Sequence, residues 1–269
     1  MTPIFPNSAT VSTRERFVLK QGRWHKIKLK VRYGLLVHPQ YGPVLIDTGY
    51  GPEVTTGPKR SLALKIYATL FNPRLLPAGA PKAALASLGY APHDVTRIIV
   101  THFHADHVSA LAQFPNARFV AQGSVFAKIM ARKPLQNLHR GIFPELLPND
   151  FAERLINLQS LAPIKTPLGL GHDMLGDASM ISIDLPGHAE GHFGVYFPET
   201  ALLYAVDTQW LAQAITEHRL PGFPAARIAE DAAALATSAE KVAQFMAEGG
   251  KVLTCHDPAS SPFDHLVGP

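Results

Sequence analysis

The sequence predicts an α/β protein: two mixed β-sheets with helices on the outside. Three observations lead there. The chain has 269 residues, 46% apolar and 17% charged, which is the composition of a folded globule with a sizeable core. Short β-branched apolar runs end in turn residues, as buried strands do. Strands come first, then strands alternating with helices, then strands, a helix and a last strand. A doubly wound sheet would alternate more regularly.

The expected strands are Gly34–Val37, Val44–Ile46, Arg97–Val100, Arg118–Ala121, Met180–Leu185, Ala201–Val206 and Lys251–Thr254. Pro81–Leu88 reads as a helix because its small and apolar residues stop at Gly89, a favourable C-terminal glycine. Val108–Gln113 and Ser124–Arg132 read as short helices. The Ala-rich stretch Ala225–Glu248 reads as one long helix or two shorter ones. Two stretches resist assignment, 59–77 and 134–167. Both are apolar and contain proline, and they are expected to be insertions covering a site within a single domain, 1–269.

Composition narrows the function. Lys plus Arg is 25 and Asp plus Glu is 21, a net charge of +4 with no dense basic block, so nucleic acid is not an expected partner. Cys255 is the only cysteine, which excludes an intrachain disulfide and a Cys-only zinc site. No secretory signal and no apolar run of membrane-spanning length is seen, so a cytoplasmic protein without a membrane partner is expected. The 13 histidines stand out, because histidine is the commonest side-chain metal ligand.

Their placement carries the chemistry. Thr101-His102-Phe103-His104-Ala105-Asp106-His107 begins where the strand Arg97–Val100 ends. On an extended strand end, residues two apart point the same way, so His102 and His104 can grip one ion. Asp106 and His107, past a turn, can face a second. Neutral nitrogen with carboxylate oxygen suits zinc and similar divalent metals. His188, Asp207 and His256 each follow an apolar strand as well. Asp47 ends the strand Val44–Ile46 without a partner motif, which suggests that it orients a ligand histidine. His192 is expected in a structural or supporting role. Cys255 is expected to be a small buried residue whose side chain points away from that of His256, as neighbours in a strand do.

The run His102 to His107 resembles the H-x-H-x-D-H signature of the metallo-β-lactamase-fold hydrolases. Leu45–Gly49, Leu185–His192, Asp207 and Thr254–Asp257 resemble the family's remaining landmarks, in order. The resemblance implies a four-layer αβ/βα sandwich. It implies one divalent ion on His102, His104 and His188, a second on Asp106, His107 and His256, and Asp207 bridging them. It further implies catalysis through Asp106 and Asp207, with a metal-bridging hydroxide attacking an ester or lactone. Zinc is the expected metal, with Mn, Fe, Co and Ni as alternatives.

Length, the turn Asp173–Asp177 and the ending His256-Asp257 resemble the quorum-quenching N-acyl homoserine lactonase branch. That branch commonly places a Tyr three residues after the bridging Asp, where it helps bind the carbonyl. Here the position holds Trp210, and the usual Gly-Gly after the metal motif is Ser109-Ala110. An indole donates one hydrogen bond and accepts none. Trp210, Phe71 and Phe143 are the expected pocket residues, beside Ile66, Tyr67, Leu70, Leu146 and Leu147 in the two insertions. The expected partner is a small ester or lactone, and a homodimer is compatible with the family. The alternatives are a thioesterase-type hydrolase, an iron-dependent oxidoreductase on the same ligands, and a non-catalytic binding protein on the same scaffold.

Overall fold

The computed structural model describes residues 1–58 and 60–265. They form two compact units. The first comprises residues 1–12, 30–157 and those from 260 onward, and the second comprises residues 13–29 and 158–259.

The first unit is built on a five-stranded mixed sheet. Its spatial order is Gly34–His38, Gly42–Ile46, Arg97–Ile99, Arg118–Ala121 and Leu155–Asn157. The first two strands form an antiparallel hairpin and the others are parallel. Val44, Leu45, Ile46, Ile98 and Ile99 are fully buried, the continuous apolar pattern of parallel strands covered on both faces. Ile46 pairs with Ile99, so the chain leaves both strands at the same edge. Asp47 and the Thr101-His102 run therefore emerge side by side, at the carboxyl ends where open α/β sheets bind their ligands.

The stretch expected as one helix over Val108–Gln113 is two short pieces, Ala105–Val108 and a 3-10 turn at Leu111–Gln113. Ser109 lies between them. Its hydroxyl donates to Gly49 O (2.8 Å) and accepts from Gly51 N–H (2.7 Å), which ties the break to the neighbouring strand end.

A further sheet, beyond the two expected, joins Phe5–Arg14, Lys26–Arg32, Arg74–Leu75 and Asp264–His265. The Arg32 side chain is wholly buried and donates from Nε to Asp264 Oδ1 (2.6 Å), while Lys30 Nζ donates to Asp264 Oδ2 (2.8 Å). Burial alone would raise the Asp264 pKa, but the hydrogen bonds and charge of Arg32 and Lys30 hold it below the usual carboxylate value.

The second unit is built on a six-stranded sheet in the order Lys251–Thr254, Leu202–Val206, Phe193–Phe197, Ile181–Asp184, Gly169–Asp173 and Pro163–Thr166. Only the first pair is parallel. The helix Ala232–Ala247 begins at Asp231, whose carboxylate accepts from Ala233 and Ala234 N–H and fills the role of an N-cap. Its Val242 and Phe245 pack on Ile183, Leu185, Tyr196 and Leu203.

The two stretches without an assignment are partly regular. Residue 59 lies outside the described residues. From Ser61, whose hydroxyl caps the helix Leu62–Phe71, the first stretch is helical up to Asn72, which adopts a left-handed conformation (φ 41°). The second stretch is only partly an insertion. Leu155–Asn157 and Pro163–Thr166 are edge strands of the two large sheets, too short and too exposed to show a strand pattern in sequence.

Candidate metal centre

In the first unit the histidine run turns at His104, which precedes the helix Ala105–Val108. Thr48 N–H and the Thr48 hydroxyl both donate to His107 O (2.9 and 3.0 Å), locking that turn to the end of the neighbouring strand. His102, His104 and His107 are all buried. The His102 ring centroid lies 4.6 Å from that of His104 and 4.0 Å from that of His107.

Hydrogen bonds decide which nitrogen of each ring faces the cluster. Asp47 has no exposure and adopts a left-handed conformation (φ 60°), which Asp tolerates better than most residues. Its Oδ1 accepts from Thr101 N–H (2.9 Å), and its Oδ2 accepts from the Thr101 hydroxyl (2.7 Å) and faces His107 Nδ1 at 2.8 Å. His107 therefore carries its proton on Nδ1 and its lone pair on Nε2. The single hydroxyl hydrogen of Thr101 goes to Asp47, so towards His102 Nδ1 (3.2 Å) that oxygen accepts. His102 likewise keeps its lone pair on Nε2. Burial pushes the Asp47 pKa up, and the electrostatic attraction of the His107 ring together with hydrogen bonds from His107 and Thr101 opposes the shift.

His102 Nε2 and His104 Nδ1 are 3.1 Å apart. Two nitrogens sharing one tetrahedral ion at zinc–nitrogen distances sit about 3.3 Å apart. Asp106 Oδ2 lies 3.7 Å from His107 Nε2.

In the second unit one carboxylate oxygen meets two imidazoles. Asp207 Oδ2 is 3.2 Å from His188 Nε2 and 3.4 Å from His256 Nε2, with all three residues buried. Asp207 follows a local irregularity. The strand pairing shifts register between Tyr204 and Val206, and Val206, a β-branched residue, adopts φ 51°. Such a conformation is costly for a branched side chain and persists only where the surroundings impose it. His192 supports the same carboxylate. Its Nδ1–H donates to Leu185 O (2.7 Å), and its Nε2 accepts from Asp207 N–H (3.2 Å). His188 follows Gly187, which sits at φ 120°. A Cβ there would fall 2.1 Å from Leu235 N, so only glycine fits.

The Cys255 side chain departs from the sequence expectation. Its sulfur lies within 4.8 Å of the ligand atoms of both Asp207 and His256. The strand ends at Thr254, so the alternation that would have parted Cys255 from His256 no longer applies. Asp257 accepts from Ala212 N–H (2.6 Å) and steadies the next turn.

The expected pocket residues divide between the units. In the first, Tyr67 packs at a tilt against Phe71 (4.5 Å) and meets Phe143 edge-on (5.0 Å), while its hydroxyl pairs with that of Tyr50 (2.6 Å). Phe143 and Leu146 are buried, whereas Leu70 and Leu62 are about three-quarters exposed. Ile142, next to Phe143, bridges to His104, so this part of the 134–167 stretch does reach the histidine cluster. In the second unit Trp210 is buried with Val18, Leu19, Leu29, Leu211 and Ala214, and its ring meets His188 edge-on at 6.2 Å. It belongs to that unit's core and also lines a small cavity with His188 and Asp207. Thr101, His192 and Gln209 gain weight from the structure. Only His192 carried a sequence signal, its spacing of four from His188.

The donor chemistry in each unit suits a divalent metal: buried imidazoles with carboxylates beside them, and in the first unit the lone pairs of His102 and His107 on Nε2. Among the described residues no helix is long and apolar enough to cross a membrane.

The chain is similar to N-acyl homoserine lactonase AttM of Azorhizobium caulinodans, 28% identical over 249 residues, covering 91% of this chain and 88% of the relative. It is 29% identical to the AttM lactonase of Agrobacterium fabrum over 245 residues, covering 89% and 86%. Among solved structures, an AiiA variant of B. thuringiensis with N-decanoyl-L-homoserine bound at the active site superposes with a TM-score of 0.68 at 17% identity, covering 96% of this chain and 93% of the other. The dizinc quorum-quenching lactonase AidC superposes at 0.66 with 15% identity, covering 97% and 91%. The profile of the metallo-beta-lactamase superfamily matches residues 33–248, four-fifths of the sequence, and the chain belongs to that superfamily.

Proposed function

We propose that this protein is a dinuclear metal-dependent hydrolase that opens a lactone or a related carboxylic ester. In this reading His102, His104 and His188 would hold one divalent ion, Asp106, His107 and His256 would hold a second, and Asp207 would serve both. When bound, such a pair lowers the pKa of water and polarises an ester carbonyl. The observation that carries the reading is the tautomer pattern. Thr101 and Asp47 leave His102 and His107 with their lone pairs on Nε2, the state a metal ligand needs. The AttM relatives, named as lactonases, support the choice of substrate bond.

Each residue's part follows from its contacts. Asp47 and Thr101 orient the imidazoles of the histidine run, and His192 holds the backbone of Asp207. Phe143, Tyr67 and Phe71 form an apolar wall suited to an acyl tail. Zinc is the metal of choice for this donor set.

Elemental analysis of the purified protein, with a panel of N-acyl homoserine lactones, acyl thioesters and aryl esters, tests the proposal. About two divalent ions per chain with lactone turnover is the expected result. Turnover confined to thioesters moves the assignment to a thioesterase. Iron with oxygen uptake, or a metal-free protein without turnover, overturns it.

A further inference from the structure

Gln209 is 1% exposed, and neither its amide nitrogen nor its amide oxygen has a hydrogen-bond partner among the described residues. A buried carboxamide left this way opposes folding, since both ends were hydrated in the unfolded chain. Most buried amides pair within the protein, so the exceptions mark places where something else supplies the partner.

The surroundings suggest what that is. Gln209 lines a narrow cavity of about 10 Å³ with His188, Asp207, Trp210 and Leu235. That volume takes one water-sized group. Its polar lining includes Gln209 and two of the proposed metal-holding residues, His188 and Asp207. Thr208 adds a hydroxyl-bearing residue, already donating to Ala205 O, and the remainder is apolar: Trp210, Pro221, Ala225, Ala229 and Leu235. An acyl chain does not fit in such a space, but a single carbonyl oxygen does. Trp210, at the position where lactonase-like sequences commonly carry a Tyr, is committed to the core beside Leu19 and Leu211. Gln209 has no such commitment.

We propose that Gln209 is a catalytic residue whose Nε2–H donates a hydrogen bond to the reacting carbonyl oxygen of the ester. A donor held in a buried site is worth most when negative charge builds on that oxygen in the transition state. The inference rests on the ester-hydrolase reading above. It adds the residue that binds the carbonyl in a chain whose sequence places Trp where a Tyr is common.

The test uses the metal-loaded enzyme and Gln209→Met, which keeps the volume and removes both polar ends. The expected result has three parts. The kcat falls about 10–100-fold while KM changes by less than about threefold, because the contact strengthens in the transition state. Metal content equals that of the wild type. The thermal midpoint holds or rises, because an amide without a partner has been removed. Gln209→Asn, with its donor one methylene short, recovers less than half of the lost kcat. A drop in the thermal midpoint of Gln209→Met shows an amide paired inside the protein and overturns the inference, as does an unchanged kcat. If the wild type hydrolyses no ester, it is the ester-hydrolase reading that fails, and the thermal midpoint still reports on the amide.

Discussion

Replacing Asp47 by Asn changes one oxygen to an NH2 group and alters little else in shape. The native carboxylate receives three donors, Thr101 N–H, the Thr101 hydroxyl and His107 Nδ1–H, at 2.7–2.9 Å in a site without solvent exposure. Asn offers one acceptor oxygen. If that oxygen keeps Thr101 N–H, the new NH2 faces His107 Nδ1 and the Thr101 hydroxyl. Two donors then oppose each other, and the least costly escape is a tautomer change that moves the His107 proton to Nε2. That proton would occupy the lone pair assigned to the metal. Metal affinity should fall about 10–100-fold, as for other orienting carboxylates behind ligand histidines. The metal-free protein should lose about 1–3 kcal/mol for the donor left poorly met. Chelator competition reads the first quantity and urea unfolding of the metal-free protein reads the second. Nitrogen-15 NMR of the histidine rings reports the tautomer directly. If His107 keeps its Nδ1 proton and the competition curve stays within about twofold of wild type, the orienting role of Asp47 is refuted.

Two further predictions concern residues outside the histidine run. His192→Ala removes the acceptor of Asp207 N–H and the donor to Leu185 O, and should cost about 2–4 kcal/mol in urea unfolding with a loss of bound metal; a variant as stable as wild type would show that water replaces the imidazole freely. Asp264→Asn removes the carboxylate from the buried Arg32 and should cost about 3 kcal/mol at neutral pH. The Asp264 pKa is depressed in the folded protein, so its contribution is complete above the ordinary carboxylate range and is lost as pH falls through the folded value. Unfolding measured from pH 7 down to pH 3 should therefore show the gap between Asp264→Asn and wild type closing in acid, and a constant gap would contradict the linkage.

The sequence by itself determined the fold family and the identity of the candidate ligands. Metal donors are chemically distinctive, and the seven placed at strand ends stand out against apolar runs without any tertiary information. The buried strands Gly42–Ile46, Arg97–Ile99 and Leu202–Val206 were legible because their buried residues form continuous apolar runs. The edge strands Leu155–Asn157 and Pro163–Thr166 were not, because a strand of three or four half-exposed residues has too little pattern to separate from a loop. Tertiary structure alone decided which nitrogen of His102 and His107 carries the proton. That depends on where one hydroxyl hydrogen of Thr101 goes, and Asp47 is more than fifty residues away in sequence. It also decided that Trp210 serves the core while its neighbour Gln209 is left with an unmet amide. Hydrogen-bond satisfaction is a property of groups brought together by folding, and no local pattern of residues encodes it.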